Sequence, residues 1–170
     1  MARALGKDCV PNGGKWEVGL TPVTLTDEGK RVFGVDTLVS SHVLLAVDML
    51  TPDLTRIGQN IQSMHRDHVP EVPASCELLG SSKICYNQGF VRYGPTTGER
   101  SLRDIQIFTV QGHPEFTRRI VDTVVDARAA TGVFDQALVG DARSRAGWRN
   151  DGVDVIGKVI WRIIGVDDKA

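Results

Sequence analysis

Cysteine is scarce in this chain of 170 residues. There are three, Cys9, Cys76 and Cys85, an odd number with no Cys-x-x-Cys pair. They fit a reducing compartment better than a disulfide framework, and the cytoplasm is the expected location. Long apolar runs are missing too. The longest is Val43-Leu44-Leu45-Ala46-Val47, far below the ~20 residues a membrane-spanning helix needs. Residues 1–8 hold no apolar stretch of signal-peptide length. Neither sign of charge is in excess: 20 Lys and Arg face 21 Asp and Glu, for a net charge of -1. That balance excludes a strongly basic nucleic-acid binder and an acidic tail protein. No membrane and no nucleic-acid partner is expected. Aromatic residues are only 6% of the chain, and there is no internal repeat or charge block.

What remains is an ordinary globular composition, 41% apolar and 24% charged, in a length that suits one domain with its own core. Residues 1–5 form one turn of helix, closed by Gly6 as a C-cap. Residues 16–25 alternate as Trp16, Val18 and Leu20, then Val23 and Leu25, a strand with a bend at Pro22. Residues 26–31 form a short polar helix or turn. Residues 60–64 form a strand ending in His65-Arg66-Asp67-His68. Short strands are expected at 76–79, 83–86 and 89–93, and the clearest strand at 104–111. A helix over 116–131 carries Phe116, Ile120, Val121, Val124, Val125 and Ala127 as an apolar stripe, with Pro114 in its first turn. Further helices follow at 135–146 and 154–164. The class is α/β, and with no linker we read residues 1–170 as a single domain.

Chemistry concentrates in two clusters. Gly112-His113-Pro114-Glu115 leaves a strand end, where open α/β sheets build their sites. Glu115 can reach back to the His113 imidazole, as a base requires of its orienting partner. The alternative is structural, with Glu115 at the positive end of a helix dipole and His113 as a capping group. His65-Arg66-Asp67-His68 holds three ligand-type side chains in four residues. On an extended chain His65 and Asp67 point one way and His68 the other, a poor metal spacing, so a loop hydrogen-bond network is favoured. No metal and no cofactor is expected. None of the three cysteines lies in a Gly-x-Cys-x-Gly context, and each reads as a small buried apolar residue.

Three motifs in order resemble the class I glutamine amidotransferases. Gly112-His113-Pro114-Glu115-Phe116 resembles their His-Pro-Glu motif. Ser63-Met64-His65-Arg66-Asp67-His68-Val69-Pro70 resembles their His-x-Asp-x-Val segment. Ala2-Arg3-Ala4-Leu5-Gly6, followed by Gly14-Lys15-Trp16-Glu17-Val18-Gly19, resembles the stretch just after their nucleophile elbow. The nearest flavour is the stand-alone, GMP-synthase-like group common in fungi. The resemblance implies a flavodoxin-like α/β fold. It also implies hydrolysis of the glutamine side-chain amide to glutamate and ammonia by a Cys-His-Glu triad. It assigns His113 as the base and Glu115 as its orienting residue. It brings the backbone near Ser63, Met64 and His65 to the α-amino and carboxylate groups of glutamine.

The sequence departs from that family in two places. The elbow cysteine and the first strands have no counterpart, so the chain reads as a C-terminal portion, inactive by itself. It is expected to aggregate, or to need a partner or the missing N-terminal half. The joint between residues 38 and 60 is natural if 39–59 are removed. That segment reads either as an insertion, such as a retained intron, or as a surface helix over 42–50. Two other functions stay open: a non-catalytic amidotransferase-like scaffold or interaction module, and an unrelated small α/β metal-binding protein using His65, Asp67, His68 and His113.

Overall fold

The computed structural model describes residues 1–34 and 58–166. The proposed insertion at 39–59 and the helix at 42–50 fall outside the described residues, except that Gly58 and Gln59 open a strand.

The organising unit is a long antiparallel pair. Strand β2 (Glu17–Leu25) and strand β3 (Gly58–His65) run side by side from Glu17 opposite His65 to Thr24 opposite Gly58. Before them lies β1 (Val10–Pro11), which pairs with β4 (Asp67–His68). Two further short strands follow, β5 (Glu77–Leu78) and β6 (Gly80–Ser81), and β6 adds to the far edge of β2. Strands β7 (Phe90–Tyr93) and β8 (Ile105–Phe108) complete a second three-stranded sheet in the order β5, β7, β8. The bend expected at Pro22 does not interrupt β2. β6 reaches only Thr24 and Leu25, so Pro22 has a neighbouring strand on one side alone, where a missing N–H is tolerated. The strand expected at 83–86 is a turn instead, closed by Ser82 N–H on the Cys85 carbonyl and Cys85 N–H on Ser82 Oγ.

Side chains alternate across the β2–β3 pair and so build two cores. On one face Val23, Leu25 and Ile61 pack with Val32, Phe33, Leu79, Val91, Ile105, Ile156 and Val159. On the other, Val18 and Met64 meet Val121, Val125, Phe134, Val139 and Ala142. The first core is covered by helix α1 (Asp27–Phe33). Thr26 caps it by accepting from Gly29 N–H, acidic residues fill its first turn, and Gly34 closes it at φ 65°. The second core is covered by α2 (Arg118–Ala130), capped by Thr117, and α3 (Gln136–Ser144), capped by Asp135. The last predicted helix is two pieces, a π-helical turn Gly152–Gly157 running into α4 (Lys158–Ile163). The N-terminal turn is a 3-10 helix, Ala2–Leu5, ended by Gly6 at φ 77°.

Among the described residues β3 has no strand beyond it, and its outer edge is met at Asn60 by a single residue. Asp151, 2% exposed, accepts from Asn60 N–H through Oδ2 at 2.9 Å, and its own N–H donates to the Asn60 carbonyl at 2.9 Å. Arg149 neutralises the other carboxylate oxygen at 2.6 Å. One residue thus imitates a bridge of a missing strand.

Two stability predictions follow from these contacts. Alanine is the better helix former by about 1 kcal/mol, but a Cβ on Gly29 would sit 1.9 Å from the Leu79 carbonyl oxygen. Sterics win: Gly29→Ala is expected to lower stability by about 2–3 kcal/mol, read as a lower urea midpoint at unchanged m-value. Asp151→Ala strands the buried Asn60 N–H and is expected to cost about 2–3 kcal/mol. Asp151→Asn keeps an acceptor and should cost less in the same melt.

Candidate active site

The Gly-His-Pro-Glu segment is placed by hydrogen bonds handed from one sheet to the other. β8 ends at Phe108, three residues short of the expected strand, but alternate residues keep bonding as an extended chain. Thr109 N–H donates to Phe90 at 3.0 Å and Gln111 N–H to Gln88 at 2.9 Å. His113 N–H then crosses to β3 and donates to the Gln62 carbonyl at 2.7 Å. The crossing needs a glycine: a Cβ on buried Gly112 would stand 2.7 Å from Ile61 Cγ1 and Cδ1. Loop 150–152 supports the segment from below. Asn150 Nδ2 donates to the Phe116 carbonyl at 3.1 Å, and Gly152 packs so closely that a Cβ there would lie 2.4 Å from the Pro114 oxygen.

His113 Nδ1 lies 2.9 Å from Glu115 Oε1. A carboxylate only accepts, so Nδ1 carries the proton and Nε2 is left for chemistry. The imidazole stacks on Phe116, with centroids 4.0 Å apart and planes 9° from parallel, which fixes its rotation. Burial pushes the Glu115 carboxyl up, but the His113 hydrogen bond, its own N–H and the imidazole charge outweigh this and hold it below the usual carboxylate range. The pairing is therefore favoured above the ordinary carboxylate pKa and is lost as pH falls through the lowered one. The helix expected to begin at Phe116 begins instead at Arg118, after the Thr117 cap. Glu115 precedes the cap and points its carboxylate at His113, not at helix N–H groups.

The second motif lies alongside. Ser63 and Met64 belong to β3, where Ser63 is fully buried and Met64 packs on the second core. His65 Nδ1 faces the Asp67 carbonyl at 3.2 Å, and Nε2 stands 3.1 Å from Glu17 Oε2. Gln111 Nε2 reaches the same Asp67 carbonyl at 3.4 Å, so the two motif loops touch. His68 lies in β4, opposite Val10 of β1, and is half-buried. Among the described residues no three His, Cys, Asp or Glu side chains converge on a metal position, and no helix is long and apolar enough to cross a membrane.

The cysteines differ from the sequence reading in one respect. Cys85 is fully buried, but Cys76 is half-buried and Cys9 is exposed. Cys85 Sγ donates to the Asn87 carbonyl. Burial first, and then the Glu17 charge, push its thiol up to about 11. Burial also raises Cys76. Sequence reasoning passed over Glu17, Gln88 and the Asn150-Asp151-Gly152 loop. The last had a signal, since Asn-Asp-Gly is strong turn chemistry. Glu17 had a weaker one, a charge inside an apolar strand.

Known proteins carry the same arrangement of sequence. Over 146 residues, 86% of this chain, it is 32% identical to a glutamine amidotransferase-like protein of Schizosaccharomyces pombe, of which it covers 46%. It is 28% identical over 116 residues to a glutamine amidotransferase of Saccharomyces cerevisiae, covering 68% of this chain and 34% of that protein. It is 32% identical over 128 residues to gamma-glutamyl peptidase 3 of Arabidopsis thaliana, covering 75% and 41%. The chain thus spans half or less of the length of these relatives. The crystal structure of a glutamine amidotransferase from Thermotoga maritima matches in fold with a TM-score of 0.58 at 14% identity, over 96% of this chain and 57% of that one. No family model matches the sequence. In sequence and in its α/β, flavodoxin-like fold, the chain is a class I glutamine amidotransferase-like polypeptide.

Proposed function

We propose that this chain carries the proton-transfer half of a glutamine-hydrolysing site. The observation that carries the reading is the 2.9 Å contact from His113 Nδ1 to Glu115 Oε1 within Gly-His-Pro-Glu. In the reaction a cysteine thiolate attacks the side-chain amide carbon and forms a C–S bond. His113 Nε2 delivers the proton with which ammonia leaves as the C–N bond breaks. Water then attacks the thioester, His113 takes its proton, and glutamate and the thiol are released. Glu115 keeps the ring in the useful tautomer and stabilises it when charged. The backbone around Ser63, Met64 and His65 is our candidate for gripping the substrate's α-amino and carboxylate groups.

The thiol does not come from Cys76 or Cys85, whose pKa values move the wrong way for a nucleophile. Among the described residues no cysteine sulfur is hydrogen-bonded to His113. We place the nucleophile on polypeptide beyond this sequence, and expect this chain alone to be inactive. The Arabidopsis relative is named a gamma-glutamyl peptidase, which favours a second reading: the same attack on a γ-glutamyl peptide bond, with an amine leaving in place of ammonia. Three free thiols support the cytoplasm as the location.

The test is an ammonia-release assay on glutamine, run beside an amine-release assay on a γ-glutamyl dipeptide. The chain alone should show no turnover. The polypeptide extended by the sequence encoded upstream of Met1 should turn over one of the two, and His113→Ala should remove about a thousandfold or more of that rate. An extended protein inactive on both would favour a non-catalytic scaffold, and normal turnover by the chain alone would overturn the placement of the nucleophile. The cysteines give a separate prediction. Iodoacetamide at pH 8 should modify Cys9 and leave Cys85 untouched until the chain is unfolded. Because its folded pKa is raised, the Cys85 thiol stabilises the fold below about 9 and that contribution is lost as pH rises to about 11. Cys85→Ala should flatten the fall in melting temperature across that window.

A further inference from the structure

Glu17 is 5% exposed and sits directly across the strand pair from His65. Burying a carboxylate is costly unless it is fully partnered, and Glu17 is well supplied. Its Oε1 accepts from the Ser82 hydroxyl, and its Oε2 accepts from Gln88 Nε2 at 2.5 Å. His65 Nε2 approaches Oε2 to 3.1 Å, within ion-pair range though off the hydrogen-bond axis. Followed outward, two of these contacts meet again. On one arm, the Gln88 carbonyl accepts from Gln111 N–H at 2.9 Å. On the other, His65 Nδ1 and Gln111 Nε2 both address the Asp67 carbonyl, at 3.2 and 3.4 Å. The contacts form a closed ring of Glu17, Gln88, Gln111, Asp67 and His65.

We infer that Glu17 is a positioning residue for the His113–Glu115 pair: its buried carboxylate grips Gln88 and His65, and through them fixes Gln111 and the chain that enters Gly112-His113. Gln111 is two residues before His113, with only the tightly packed Gly112 between, so a shift at Gln111 is passed on to the imidazole. The third partner, Ser82, also accepts from Gln88 Nε2 at 3.1 Å and so braces the same arm; the control is Asp135, which caps α3 through Leu138 N–H and touches none of the ring. The catalytic meaning of this role rests on the amidotransferase reading; the geometry itself does not.

The experiment is amide hydrogen exchange by NMR on the full chain, which reports geometry whether or not the chain is active. Glu17→Gln preserves size but turns an amide nitrogen toward a donor, so one grip is lost. Exchange at the Gln111 and His113 amides should quicken by about tenfold, with Val91 and Val125 unchanged and the His113 Cε1–H resonance shifted. Asp135→Ala, which removes the α3 cap, should lower the melting temperature without touching Gln111 or His113. The inference is overturned if Glu17→Gln leaves both amides unchanged, or if Asp135→Ala speeds them equally. Should Glu17→Gln fail to fold, His65→Gln cuts one arm only. A smaller acceleration at Gln111 is then the expected result, and none there overturns the proposal.

Discussion

Most of this structure depends on how the outer edge of β3 is satisfied. A strand buried on both faces cannot leave backbone N–H and C=O groups unpaired along an open side. Among the described residues two isolated partners meet that side. Asp151 takes both backbone groups of Asn60, and His113 N–H takes the Gln62 carbonyl. The imidazole is therefore placed by the same bond that completes the core strand. Its position is a structural necessity before it is a chemical convenience.

The neighbouring glycines show the cost of that arrangement. Gly112 and Gly152 are both places where any side chain would strike the strand or the loop it supports. The backbone has been brought as close as covalent geometry allows on two sides of one tetrapeptide. Such packing leaves His113 few ways to move, and stacking on Phe116 removes another. Glu115 is the exposed member and is tied to the ring through the hydrogen bond. A carboxylate in partial contact with water is stabilised as the anion, which is what the proposed function asks of a partner that stays charged while the imidazole gains and loses a proton.

Local chemistry made much of this legible in the sequence. Gly6 ends the first turn at positive φ, the polar run after Leu25 forms α1, and Asp135, the expected start of a helix, caps α3 by accepting a backbone N–H. The alternation of Val18, Leu20, Val23 and Leu25 announced β2. The Gly-His-Pro-Glu motif announced the pair it forms. Long-range arrangements were not legible. The start of α2 was misjudged because Pro114 suits a first turn, whereas the chain was already committed to crossing β3 and could not turn helical until Thr117. The strand expected at 83–86 failed because Ser82 offers its side chain and backbone to Cys85, and that local closure outcompetes a ladder. Asp151 could not be read as a strand surrogate, since its partner Asn60 is 91 residues away.

The two halves of a thiol-dependent hydrolase site make different demands, and the proposed reading assigns only one of them to this chain. The proton-transfer half needs a rigid imidazole with one nitrogen occupied and the other free. β3, Gly112, Phe116 and Glu115 meet that need without any sulfur atom present. The nucleophile half needs an activated thiolate, which requires a positive field or a helix N-terminus. Cys85 has the opposite setting, dry and next to the Glu17 carboxylate, which protects a thiol instead of activating it. Burial does most to raise that thiol, and the Glu17 carboxylate adds to it. On the proposed reading, one buried carboxylate thus steadies the approach to His113 and helps to keep a core thiol protonated.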